Sequence, residues 1–105
     1  MKQKLVRDKI PEIIRSSGRE CSYRVALKEE MGALLFEKLR EESVEFLEKP
    51  SIEEAADIYE VFLAILRHWD INFSSVVNQS FYKREERGSF MAGIVLESVD
   101  DNKTK

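Results

Sequence analysis

The chain has one cysteine and one histidine in 105 residues. Cys21 has no partner for an internal disulfide, and a single His68 gives little material for a Cys–His nucleophile pair or for the Cys/His ligand sets that zinc prefers. Both are read as structural. Glycine and proline are scarce as well, four and two respectively, so long stretches run without a breaker and a helix-rich body is expected. No run has the length of a membrane span or the basic-then-apolar layout of a signal peptide, which makes the cytoplasm the expected location. Basic surplus is absent too: the net charge is −3, opposite to the footprint of a duplex-binding domain, so neither nucleic acid nor membrane is expected as a partner. A chain this short buries only roughly 60–70% of its unfolded surface. One domain over residues 1–105 is expected, with little room for an internal pocket, which leaves a site between subunits open.

The order of breakers and apolar residues predicts a mainly α fold: an antiparallel helical hairpin with shorter helices. Pro11 suits a first helical turn, and Gly18 stops a short helix over about Lys9 to Ser17. From about Leu27 to Glu48 no proline occurs, and Leu27, Met31, Leu34 and Leu35 recur at helical spacing. Lys49, Pro50 and Ser51 interrupt it. Ser51-x-x-Glu54 then has the form of a capping box opening a second long helix to about Trp69. A third helix spans about Phe73 to Arg87, with Gly88 as its stop. Alternation in residues 21–25 and the apolar run Phe90 to Leu96 predict two extended segments and a minor two-stranded ribbon. The tail 97–105 has nothing to bury and is expected to fray.

At about 100° per residue, the apolar stripe of the first long helix must continue through Lys38, Glu41, Glu42 and Glu45. The stripe of the second, carrying Ile58, Val61 and Ile65, extends backwards through Glu54 and Asp57. A short loop makes these helices antiparallel neighbours, so Glu45 comes level with Glu54, and Glu41 and Glu42 with Asp57. Four or five carboxylates therefore converge where a core should continue. Such a group repels itself unless protonated or neutralised by a cation. All-oxygen ligation suits magnesium or manganese. A ferritin-like di-iron site needs two Glu-x-x-His pairs, and one histidine cannot supply them.

Plainer readings stand beside this one. Glu54 serves as the capping partner of Ser51 alone, or Glu41, Glu42 and Glu45 form a solvated face if Leu35, Leu39 and Phe46 carry the packing. Asp57, a weak helix former between Ala56 and Ile58, is harder to treat as decoration.

The run K-L-R-E-E-S-V-E at residues 38–45, followed by E-E-A-A-D at 53–57, resembles the MazG-like all-alpha nucleoside triphosphate pyrophosphohydrolases, whose signature is Glu-Glu-x-x-Glu, a spacer, then Glu-x-x-Asp. The opening KLVRDKIPEII and the closing RGSF resemble the subgroup related to phosphoribosyl-ATP pyrophosphohydrolase, and the likeness covers about residues 4–96. It implies a magnesium-dependent enzyme that releases pyrophosphate and a monophosphate from a nucleoside triphosphate, with the clearing of non-standard nucleotides, a house-cleaning activity, as one use. Phosphoribosyl-ATP hydrolysis is the enzymatic alternative. A non-catalytic helical oligomer that binds metal or nucleotide is the other.

Carried over by position, the resemblance implies that Glu42, Glu45, Glu54 and Asp57 hold Mg2+, with Mn2+ as a substitute, and that Glu41 orients the water. A homodimer or homotetramer is implied, in agreement with apolar residues on several sides of the long helices, including Phe36, Phe46, Tyr59, Leu63 and Leu66. The phosphates also need positive charge. Lys38 lies on the acidic face one turn before Glu41 and Glu42, serving either phosphate or a salt bridge. Lys83 and Arg87 share a face of the last helix, as phosphate ligands or as cations complementing its dipole. Arg7, Asp8 and Lys9 belong to the subgroup's opening; the pattern itself gives them no defined task, and contact with substrate and capping of a neighbouring subunit both stay open. His68 is too far along its helix to join the carboxylates.

Overall fold

The structure, a computed structural model, describes residues 3–100. It is all-helical: α1 (Ile10–Ser16), α2 (Lys28–Glu48), α3 (Ile52–His68) and α4 (Phe73–Arg87), with no strand among the described residues. The expected ribbon is absent there. Residues 21–25 offer only three alternating apolar positions, and an isolated two-stranded ribbon is marginal in water. Of the tail 97–105, residues 101–105 lie outside the described residues.

The helix boundaries follow their local chemistry. Gly18, at φ 87°, takes the left-handed position that closes α1. At the start of α2 the Glu30 carboxylate accepts from the Leu27 backbone N–H at 2.8 Å. Pro50 follows the C-terminus of α2, and the Ser51 hydroxyl caps α3 by accepting from the Glu54 backbone N–H at 3.2 Å. α3 closes without glycine: Asp70 takes φ 56° itself, and the Ile71 N–H reaches back to the Leu66 carbonyl at 2.8 Å. Asp tolerates that conformation better than most side chains do.

Two compact units divide the chain, Met1–Phe73 and Ser74–Lys105. In the first, α2 and α3 pack along each other, and the three-residue link makes them antiparallel. Leu35, Val61 and Leu66 are its buried apolar residues, and Glu42 is buried with them. Leu66, one of the apolar residues spread over several sides of the long helices, is thus part of the core. The Trp69 ring lies against Gly32, where an added Cβ would come within 3.1 Å of it, and stacks edge-on with His68 at 4.5 Å between centroids. His68 is structural in this packing. In the second unit no residue of α4 is buried.

Candidate metal centre

Whether a carboxylate on α2 faces inward depends on how the helix is rotated, and Leu35, 1% exposed, marks the centre of its packed face. Seven residues further on, Glu42 returns to within about 20° of that direction. It is 7% exposed and lies on the same face as the half-buried Leu39 and Phe46. The solvated-face reading and the inward-site reading therefore divide between residues. Leu35, Leu39 and Phe46 do carry packing, and Glu42 sits among them. Glu45, roughly 80° off that centre, is exposed.

From α3, Glu54 and Asp57 meet Glu42. One carboxylate oxygen from each of the three lies within 4.8 Å of the others. Oε1 of Glu42 and Oε1 of Glu54 are both buried and accept no hydrogen bond. For a residue as enclosed as Glu42, an acceptor without a donor costs about 1–3 kcal/mol, and the second orphaned oxygen belongs to the same cluster. Ser51 caps α3 through its own hydroxyl, so the cap leaves the Glu54 carboxylate directed to its acidic neighbours. Burial first, then the charges of Glu45, Asp57, Glu42 and Glu53, push the Glu54 carboxyl above its usual range. Glu45 lies outside the group of three but close enough to contribute to this field.

Lys38, Lys4 and Arg7 border the carboxylates. Lys38, mostly buried, places its ammonium 3.3 Å from both Glu41 Oε1 and Glu42 Oε2. Lys4 donates to Glu41 Oε2 at 2.9 Å, and Arg7 to Asp57 Oδ1 at 2.7 Å. Lys4 and then Lys38 hold the Glu41 carboxyl below its usual range against the opposing effect of burial, and Glu41 in turn raises the Lys4 ammonium. The Lys4 and Arg7 pairs are half-exposed, the kind of contact worth only about 0–1 kcal/mol. Lys38 is different, because its pair with Glu42 is largely shielded from water.

Beside Glu41 a cleft of about 280 Å³ opens between the chain's opening segment and α2, with Leu5 and Leu34 as apolar lining and Lys4 and Lys38 as cations. Hard oxygen donors, two of them orphaned and buried, fit a divalent ion such as Mg2+ or Mn2+.

The structure thus brings together Glu42, Glu54 and Asp57, with Lys38 and Glu41 beside them and Glu45 exposed nearby. Lys83 and Arg87 stand one turn apart on α4, in the unit that does not contain these carboxylates. Lys4 and Arg7 contribute contacts that the sequence pattern did not assign. Their partners lie 37 and 50 residues away, beyond the reach of any periodicity. Comparison with protein-family models, curated proteins and solved structures returns no match to this chain.

Proposed function

We propose that the protein is a magnesium-dependent nucleotide pyrophosphohydrolase of the MazG-like kind, releasing pyrophosphate and a nucleoside monophosphate. The observation that carries this reading is the buried Glu42, whose Oε1 has no hydrogen-bond donor while Glu54 and Asp57 present further oxygens to the same point. Glu42, Glu54 and Asp57 would hold the ion, with Glu45, exposed nearby, as the fourth residue of the set. A bound Mg2+ supplies charge neutralisation on phosphate oxygens as the anhydride breaks. Glu41, whose carboxylate stays ionised between Lys4 and Lys38, orients the attacking water and accepts its proton. Lys38, which lines the adjacent cleft, binds a phosphate oxygen.

We also propose a homo-oligomer, a dimer or tetramer. Phe36, Val44, Leu47 and Tyr59 remain exposed on α2 and α3, and a second copy is the occupant that would cover them. No helix among the described residues is long and apolar enough to cross a membrane.

The test is a screen for pyrophosphate release from standard and modified nucleoside triphosphates and from phosphoribosyl-ATP, with magnesium and with excess chelator. Metal-dependent release from a triphosphate is the expected result. Release from phosphoribosyl-ATP alone would move the assignment to that substrate, and no release from any of them would leave a binding protein.

A further inference from the structure

The opening segment, residues 3–9, is not helical and precedes α1. Two of its side chains nevertheless end on the acidic cluster, Lys4 on Glu41 and Arg7 on Asp57. Asp57 is one of the three residues whose oxygens converge, so Arg7 occupies a carboxylate that a divalent cation would also claim.

Arg7 is only partly engaged there. A single nitrogen, Nη2, donates to a single oxygen of Asp57, and the side chain is about half exposed. A guanidinium can offer five N–H donors in a planar fork suited to phosphate, and exposed carboxylate pairs are readily exchanged. Lys4 lines the same cleft as Lys38. Of the cations around the carboxylates, the two from the opening segment are the more exposed, and each pairs with one carboxylate where Lys38 pairs with two.

We propose that Lys4 and Arg7 are phosphate-binding residues, held beside the site by Glu41 and Asp57 until substrate arrives. When Asp57 is taken up by a divalent cation, Arg7 exchanges its carboxylate partner for a phosphate oxygen of the nucleotide. Lys4 does the same from the cleft beside Glu41. This assignment rests on the pyrophosphohydrolase reading and gives the opening segment a role in binding substrate.

The test uses the full chain and two separate titrations by calorimetry. Mn2+ alone probes the carboxylates, and magnesium tripolyphosphate probes the cations without any base. In Arg7→Gln the competitor of Mn2+ is gone, so Mn2+ binds severalfold more tightly, while tripolyphosphate binds on the order of tenfold more weakly because a charge-assisted pair is missing. Lys4→Gln changes both in the same directions by less. Arg7→Lys, which keeps the charge, recovers part of the tripolyphosphate affinity, and it carries the test if Arg7→Gln proves unfolded by circular dichroism. A purely structural Arg7–Asp57 pair gives the opposite pattern: Mn2+ binding weakens as Asp57 loses its support, and tripolyphosphate binding is unchanged. That pattern in a wild-type background that binds Mn2+ overturns the role of Arg7 alone. Failure of wild type to bind Mn2+ at all overturns the metal site and this inference with it.

Discussion

Replacing Glu42 with Gln separates a metal centre from a packed surface, because the two readings predict opposite changes in stability. Glu42 Oε1 and Glu54 Oε1 are buried acceptors without donors. At about 1–3 kcal/mol, the cost for Glu42 alone is a sizeable part of a small domain's stability. The amide N–H of a Gln side chain at this position can rotate to donate toward Glu54, and the change removes one negative charge from a group whose oxygens lie within 4.8 Å. Against that stands the Lys38 contact to Glu42 Oε2 at 3.3 Å, which becomes an ordinary hydrogen bond to the amide oxygen and loses about 1 kcal/mol. Without metal, Glu42→Gln should therefore hold its stability or gain up to about 1 kcal/mol, which is roughly 4–8 °C in melting temperature for a domain of this size. Wild type should respond to magnesium in a way the variant cannot. At a hundred times the dissociation constant, binding to the folded state alone adds about 2.7 kcal/mol. Melts followed by far-UV circular dichroism, with chelator and with saturating Mg2+, give four midpoints. The expected order places wild type with Mg2+ above the other three, with the variant indifferent to the ion. A magnesium shift of equal size in both proteins would falsify the site, and so would a steep loss of stability of the variant in chelator.

Three further outcomes follow from the same geometry. Glu45→Gln, exposed and outside the converging three, should reduce the magnesium shift by less than Glu42→Gln and change metal-free stability by less than about 0.5 kcal/mol; an abolished shift would make Glu45 an equal ligand. The Glu54 carboxyl is raised, so the folded state keeps its proton to higher pH than the unfolded chain does, and the contribution of this group to metal-free stability falls as pH rises through and above the ordinary carboxylate value. In Glu54→Gln that fall should shrink relative to wild type, and identical pH profiles in chelator would show that the carboxyl is not perturbed. Gly32→Ala places a methyl within 3.1 Å of the Trp69 ring, whose half-exposed edge can swing away; a shift in the fluorescence of this sole tryptophan is expected, with stability within about 1 kcal/mol because better helix propensity offsets the displacement.

The helix ends could be read from single residues because each is decided locally. Gly18 and Gly88 take positive φ, Ser51 caps, and Pro50 interrupts. Periodicity also pointed to an acidic stripe facing the hairpin interior. It could not rank the acids, since the packed direction of α2 is fixed by which of Leu34, Leu35 and Leu39 meets α3. About 60° of rotation separates a buried Glu42 from an exposed Glu45. The ribbon failed for another reason: alternation over so few residues carries little energy once no sheet supports it. Lys4 and Arg7 stayed silent because an ion pair leaves no period in the sequence.

The bond from Arg7 to Asp57 closes a span of 50 residues, whereas α2 and α3 meet through a turn of three. Loop-closure entropy grows with the logarithm of the span, so the hairpin is the easy contact to form and the opening segment the costly one. Half-exposed ion pairs return little against that cost. Residues 3–9 should therefore detach while the hairpin stays intact, through a sub-global opening of lower free energy than unfolding. In hydrogen exchange this would appear as fast amides ahead of α1 and slow ones around Leu35, Val61 and Leu66.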